Sequence, residues 1–160
     1  MPDQQPDTQR VWDMMTTLRT CLLVSHRGGR MHGRPMASIV RQNEHKVYFL
    51  ADKKSAKESE IAENPDVYLG YSDASSKHVS LNGRASLSED KALIKRLWNP
   101  GAQAFWPQGA DVAEIVVIVV EPVSAEFWDG PPGVISLAKM AFAVATRSRP
   151  NLGDNQKVAL

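Results

Sequence analysis

The chain has 160 residues, of which 42% are hydrophobic and 23% are charged, and its formal net charge is +1. This composition is typical of one globular domain, and so small a net charge argues against a protein that coats nucleic acid. The single cysteine, Cys21, excludes an internal disulfide and favours a reducing cytoplasm, and we expect it to be a small buried hydrophobe. The longest apolar run, at 115–120, is too short to span a bilayer, so no membrane partner is expected either.

The first third of the chain predicts a helix followed by strands. Residues 1–8 are polar, contain two prolines and are expected to form a flexible tail. The helix that follows has the spacing of one buried face, formed by Val11, Met14, Met15 and Leu18. The next three predicted strands are "CLLVSH", "RPMASIV" and "KVYFLA", and the turn signal "RGGR" separates the first two.

The middle of the chain alternates helices with strands. A helix is predicted at 55–64, followed by the strand "DVYLGYS". Apolar and polar residues then alternate from 79 to 88, which predicts a strand with one buried face. A second capped helix is predicted from about 88 to 98, with Asn99-Pro100 as its end.

The last third predicts a buried strand and a helix. The run "IVVIVV" is apolar on both faces, so its strand should be covered from both sides, and "VSAEFWD" extends it. A last helix is predicted at "VISLAKMAFAVA", and residues 147–160 are expected to be irregular. With about six strands, hairpin-length connections and no internal repeat, the pattern favours an α+β fold with a small closed or split barrel.

Common catalytic and metal-binding patterns are absent from the sequence. The four histidines have no metal-ligand spacing, and one cysteine cannot form a zinc knuckle. There is no G-x-S-x-G hydrolase motif, no Walker loop and no G-x-G-x-x-G. These absences argue against a metal centre and the common nucleotide enzymes, and they leave the catalytic residues unassigned.

Three lysines surround the start of the helix predicted at 55–64: Lys53, Lys54 and Lys57. Ser55 and Glu58 form a capping box there. The lysines add to the partial positive charge of the helix start, and the first-turn N–H groups have the geometry that binds phosphate. The segment therefore predicts an anion site, while a solvated loop before a well-capped helix is the alternative.

The segment "HGRPMAS", at 32–38, is the second candidate site. Pro35 holds the preceding Arg34 in an extended conformation, so the arginine should project at a fixed angle from the start of a strand. Met36 should face the same side two residues later. The alternative is an ordinary surface arginine on an edge strand.

Four segments together carry a resemblance to a known family: "GRPMASIV", "VYFLADKKSAKESEIAENPDVYLGY", "HVSLNGRASLS" and "AFWPQG…EIVVIVVEPVSAEFWD". In this order and spacing, over roughly residues 8–148, the chain resembles the general stress proteins of the pyridoxamine 5'-phosphate oxidase-like group. The resemblance implies an antiparallel six-stranded split β-barrel with flanking helices. It places this domain at 9–148, between an N-terminal tail at 1–8 and a C-terminal tail at 149–160.

The resemblance also implies a homodimer that binds flavin mononucleotide (FMN) at the subunit interface. The cofactor contacts that it implies are Arg34, Pro35, Met36, Leu50, Ala51, Ser55, Lys57, His78 and Trp106. Ser55 and Lys57 match the positions that hold the ribityl phosphate. Residues 34–36 match the strand along the isoalloxazine ring and ribityl chain, and residues 50–51 match contacts at the ring.

At some positions this sequence has other residues than the related oxidases. His78 stands where they carry a glutamine near the flavin, and Ala51 replaces a hydroxyl residue. Trp106 belongs to an aromatic-proline loop that comes from the partner subunit in this group. The C-terminal segment lacks the paired arginines and histidine that grip the substrate phosphate of pyridoxamine phosphate oxidases, so that activity is not expected.

The favoured hypothesis is a cytoplasmic, FMN-binding general stress protein that acts as a low-specificity oxidoreductase. The flavin would carry the electron chemistry, and the protein would orient it. Two alternatives stay open. One is a flavin-binding or sensing module that catalyses nothing, and the other is the same barrel with haem or a deazaflavin as its ligand.

Overall fold

The computed structural model describes residues 6–55, 57–131 and 133–160, without the side chains of 57–59 and 134. Most of the predicted N-terminal tail, namely residues 1–5, lies outside the described residues. The described chain forms five α-helices, one 3-10 turn and eight strands. In chain order these are α1 Asp7–Leu18, β1 Thr20–Arg27, β2 Arg30–Ala37, β3 Ile39–Arg41, the turn Gln42–Glu44, β4 Lys46–Asp52, α2 Lys57–Glu63, β5 Asp66–Ser72, β6 Lys77–Ser88, α3 Lys91–Leu97, α4 Pro100–Phe105, β7 Ile115–Asp129, α5 Gly133–Thr146 and β8 Asp154–Ala159.

All eight strands belong to one antiparallel sheet in the order β2-β1-β5-β6-β7-β4-β3, with β8 also paired to β7. The two end strands, β2 and β3, are consecutive in the chain and only Ser38 separates them. The sheet must therefore curl until its two ends meet, which gives a barrel with a split at Ser38. The predicted α+β split barrel is confirmed, with two more strands than the six expected.

The two additional strands have separate causes. The predicted strand "RPMASIV" is divided at Ser38, whose backbone N–H and hydroxyl both donate to the carbonyl of Arg19, at 2.8 and 2.7 Å. The second is β8, which lies in the C-terminal segment that was expected to be irregular. It pairs with the outer half of β7, from Ser124 to Asp129, and its residues are mostly exposed. An exposed edge strand carries little hydrophobic pattern, so the sequence gives no signal for it.

The core lies on both faces of β7. Val116, Ile118 and Val120 belong to the cluster inside the barrel, whereas Ile115 and Val117 pack in a second cluster against α3. The prediction that "IVVIVV" is covered from both sides is confirmed. The alternation predicted for β6 is also confirmed, because its odd-numbered residues from 79 to 85 are buried.

The helices follow the predictions with adjustments at their ends. The capping box predicted at Ser55 is not formed, since α2 begins at Lys57 and the Ser55 hydroxyl has no partner among the described residues. In α1, Val11, Met14 and Met15 are buried as expected, and Trp12, which lies off that stripe, is buried as well. Helix α5 is confirmed at Gly133–Thr146. No helix of the described segments is both long enough and apolar enough to cross a membrane.

Helix α4 was not predicted, because Asn99-Pro100 indicates the end of the helix before it. In the structure, the same two residues also begin the next helix. The side chain of Asn99 accepts a hydrogen bond from the N–H of Ala102 at 3.0 Å, and Pro100 occupies the first helical position. The preceding helix, α3, is capped by Asp90 rather than by Ser88. Helix α4 forms one wall of the candidate site.

Candidate functional site

An open groove of about 680 Å³ lies between the split of the barrel and α4. Its walls are mainly apolar and come mainly from four elements: the end of β2, the start of β3, the end of β4 and α4. The apolar side chains among them are Pro35, Met36, Ile39, Leu50, Ala51 and Phe105. The groove lies beside Ser38, where β2 and β3 separate, and Leu50, Ala51 and Asp52 of β4 line its other side.

A second depression of about 450 Å³ adjoins the groove and has a more polar lining than the groove. It is lined by Lys54, Ser55, Gln108, Val112 and Glu114, and it shares Asp52 and Trp106 with the groove. Trp106 Nε1 donates to Asp52 Oδ1 at 2.8 Å, so these two side chains stand at the boundary. The site as a whole offers an apolar surface that leads into a polar end.

The hydroxyl of Ser55 has no hydrogen-bond partner among the described residues, although its Oγ atom is buried. A buried hydroxyl without a partner costs free energy, and a ligand oxygen at this position would remove that cost. The lysines nearby are partly engaged, since Lys53 pairs with Glu89 at 2.9 Å and the exposed Lys54 with Glu114 at 3.5 Å. The side chain of Lys57 lies outside the described part of the molecule.

Arg34 is held away from the groove by a buried acid on α2. Its Nη2 lies 2.9 Å from Glu60 Oε2 and donates to Ser25 Oγ at 2.9 Å. Glu60 is only 2% exposed, and His32 Nδ1 contacts its other oxygen at 3.2 Å. Burial alone would raise the pKa of Glu60, but the Ser25 hydrogen bond and the Arg34 charge outweigh it and hold the pKa below its usual value.

The Glu60 cluster consists of Glu60, Ser25, His32 and Arg34. It attaches α2 to the barrel, and α2 follows the segment that contains Ser55. Ser25 lies on β1, while His32 and Arg34 lie on β2. One carboxylate therefore fixes the helix to two strands. Sequence reasoning missed Glu60, because its partners lie 26 to 35 residues earlier in the chain and no local pattern links them.

His78 does not line the groove of its own chain. It is exposed near the start of β6, opposite Ser72 and Trp128, whereas the part of β7 that pairs with β4 faces the other end of β6. Across the sheet, the register of His78 leads through β5 and β1 to the groove end of β2, three strand spacings or roughly 14 Å away. Trp106, in contrast, lies beside Asp52 of its own chain.

The structure thus brings together six of the nine predicted site residues. Those six are Pro35, Met36, Leu50, Ala51 and Trp106 in the groove, and Ser55 in the adjoining depression. Arg34 lies on β2 next to the groove residue Pro35, but its guanidinium is bound to Glu60. His78 does not line the groove. Their contact with a cofactor stays a prediction. Arg19 and Asp52 also line the groove and carried no signal in the sequence.

Cys21, expected to be a small buried hydrophobe, is 3% exposed, which confirms that expectation. Burial raises the pKa of its thiol to about 12, so the neutral form prevails.

Solved structures with the same fold include three from the general stress group. A candidate general stress protein 26 from Jannaschia sp. CCS1 is 22% identical, with a TM-score of 0.76 over 96% of this chain and 97% of that chain. General stress protein 26 from Bacillus anthracis is 23% identical, with a TM-score of 0.63 over 74% and 93%. A general stress FMN/FAD binding protein from Xanthomonas citri is 22% identical, with a TM-score of 0.66 over 75% and 86%.

One protein-family model matches nearly the whole chain. No curated protein matches it. The family model described as pyridoxamine 5'-phosphate oxidase like matches residues 6–151, which agrees with the extent of the four segments that carry the resemblance. The chain belongs to the pyridoxamine 5'-phosphate oxidase-like family.

Proposed function

We propose that this protein binds FMN, with the ring in the apolar groove and the phosphate at Ser55, and that it acts as a low-specificity flavin-dependent oxidoreductase. The observation that carries the proposal is the buried, unpartnered Oγ of Ser55 at the polar end of an apolar groove. A flavin nucleotide has the matching order of parts: a flat apolar ring, a hydroxylated chain and a phosphate. The Xanthomonas citri protein, named as FMN/FAD binding, supports a flavin within this fold.

The residues present fit this cofactor part by part. Met36, Leu50 and Ala51 offer an apolar surface that would cover the ring and exclude water. The carboxylate of Asp52 offers hydrogen-bond acceptors for hydroxyl groups where the groove becomes polar. Ser55 and Lys57 would hold the phosphate, since charge-assisted hydrogen bonds to phosphate are strong.

FMN fits better than a flavin with a longer acidic tail. Lys54 and Glu114, which both line the depression, pair with each other at 3.5 Å, so Lys54 is already engaged and less available to hold a further phosphate group. Bound flavin supplies the electron transfer, and the protein supplies orientation and the exclusion of water. The general stress role of the proposal rests on the names of the Jannaschia and Bacillus anthracis proteins.

The proposal includes a homodimer with the flavin at the interface. The groove is open, so a second subunit would complete its wall and shield the ring from water. In that arrangement His78 would reach the flavin bound by the partner subunit rather than its own. Cytoplasmic location is part of the same proposal, and the single buried cysteine supports it.

The test is the absorbance spectrum of purified protein after FMN is added and the excess is removed. We expect the visible flavin bands at about one FMN per subunit, and a colourless protein would overturn the proposal. Reduction of the bound flavin by NADH or NADPH, followed by reoxidation, would support oxidoreductase activity. Stable binding without reduction would leave a flavin-binding module, and a sharp haem band instead of flavin would reject FMN.

A further inference from the structure

We propose that Arg19 binds the anionic group of a second ligand, so that the groove selects organic acids with a flat apolar body. Arg19 lines the groove, and its guanidinium has no hydrogen-bond or ion-pair partner in the described segments. The inference rests on the proposed function, because the acid would bind in the groove proposed for the flavin. It adds a substrate class, which neither the fold nor the family comparison supplies.

Arg19 differs from the other charged residue of the groove because its charge has no partner in the described lining. Among the residues that the structure describes, two charged ones line it, Arg19 and Asp52. Asp52 already accepts the Trp106 hydrogen bond, whereas nothing in the lining offsets Arg19. An apolar pocket with a few polar groups fixes the orientation of its ligand through those groups. A ligand that leaves Arg19 unpaired loses this contact, so acids are favoured over neutral molecules.

The two charged residues mark opposite ends of the groove. Arg19 is joined to Ser38 by two hydrogen bonds, and the next residue, Ile39, is opposite Tyr48 on β4. Asp52 lies four residues further along β4, which is roughly 13 Å. The backbone at the Arg19 end of the groove is thus well separated from Asp52, which lines the depression beside Ser55, so we do not expect one phosphate at Ser55 to contact Arg19 as well. The anion at Arg19 belongs to another group.

The backbone of Arg19 is fixed in an uncommon conformation. Its φ of 63° and ψ of −44° lie in a region that residues other than glycine rarely occupy. Three hydrogen bonds hold it: its N–H donates to Met15, and its carbonyl accepts both bonds from Ser38. Such outliers cluster at ligand sites. The side chain thus starts from a rigid position at the end of α1.

The test compares benzoate with its neutral counterpart benzamide, in FMN-loaded protein. Binding is followed by the flavin absorbance, and by tryptophan fluorescence because Trp106 lines the groove. We expect benzoate to bind about tenfold more tightly than benzamide. Arg19→Gln should remove this preference, and Arg19→Lys should restore most of it. Rising salt should weaken benzoate binding but leave benzamide unchanged.

The matched control is Arg84→Gln. Arg84 is exposed on β6, outside the groove, and likewise has no side-chain partner among the residues described. This variant should keep the preference for benzoate, and thermal unfolding of every variant shows whether the fold survives. Equal affinity for benzoate and benzamide in the parent, or an unchanged preference in Arg19→Gln, would overturn the proposal for Arg19.

The same titrations without FMN separate this proposal from the proposed function. Protein that takes up FMN but does not prefer benzoate refutes the role of Arg19 and leaves the flavin site standing. Protein that retains no FMN, yet prefers benzoate through Arg19, supports the acid site and refutes the flavin site. Loss of both refutes both.

Discussion

Trp106 Nε1 donates a 2.8 Å hydrogen bond to Asp52 Oδ1, although the two residues are 54 positions apart in the chain. Asp52 ends β4, and Trp106 follows α4, so this contact joins the sheet to the helical wall of the groove. The rings of Trp98 and Phe105 lie 6.2 and 6.0 Å from that of Trp106 and support its position. The boundary between the apolar and polar parts of the site depends on this pair.

Trp106→Phe should weaken FMN binding about tenfold, because it keeps an aromatic ring but removes the N–H that fixes both side chains. The free energy of unfolding should change by no more than about 1 kcal/mol, since Asp52 is exposed and Trp106 is only half-buried. Fluorescence titration with FMN and urea unfolding measure the two effects. Tyr68→Phe, exposed on β5 outside the groove, is the control and should retain the parent affinity.

Ser55→Ala should weaken FMN binding at least tenfold and leave riboflavin binding unchanged, because riboflavin lacks the phosphate. It should also raise the stability of the cofactor-free protein by about 1 kcal/mol, since it removes a buried hydroxyl that has no partner. Lys57→Ala should show the same selectivity for FMN over riboflavin. Ser86→Ala, exposed on β6, is the control. An equal loss for both flavins would mean that Ser55 acts through the fold and does not contact phosphate.

The sequence predicts the strands of the barrel well where apolar residues recur regularly along one strand. The alternation in β6 and the apolar run of β7 identify strands with one and two buried faces, and the structure confirms both. The four family segments also bring the groove residues together. What periodicity misses are contacts between distant parts of the chain, such as Trp106 with Asp52, because neither residue lies in a repeating pattern.

Signals of charge in the sequence were harder to interpret than signals of burial. Arg34 was predicted to face the cofactor, but its guanidinium pairs with Glu60. Lys53 and Lys54, which suggested an anion site, pair with Glu89 and Glu114. A charged side chain is long and flexible, so its partner depends on the tertiary fold. Arg19 shows the converse, since an ordinary residue at a helix end lines the groove.

Glu60→Gln should lower the free energy of unfolding by about 3 kcal/mol at neutral pH, because it removes a buried charge that Arg34 and His32 face. FMN affinity should fall with it, since α2 follows the Ser55 segment. Urea unfolding measures the loss of stability. Glu63→Gln, exposed on the same helix, is the control and should change stability by less than about 0.5 kcal/mol.

The stabilisation by Glu60 should depend on pH in a defined direction. The folded protein holds the pKa of Glu60 below its usual value, so the charged form stabilises the fold above the pKa of the unfolded chain, about 4.3. This contribution disappears as the pH falls from there through the folded pKa. The stability difference between parent and Glu60→Gln should therefore be largest near pH 7 and shrink below about pH 4. A difference that stays constant across this range would contradict the ionised Glu60.

The apolar surface of α5 should form part of the proposed dimer interface. Five of its large side chains are exposed, namely Ile135, Leu137, Met140, Phe142 and Val144, and its one charged residue is Lys139. Several large apolar side chains exposed on one helix are typical of a site for another protein chain. The double change Leu137→Ser and Phe142→Ser should convert the dimer to a monomer in sedimentation equilibrium, whereas Met31→Ser, 76% exposed on β2, should not. A parent protein that is monomeric would refute the dimer, and a double variant that stays dimeric would place the interface on another surface.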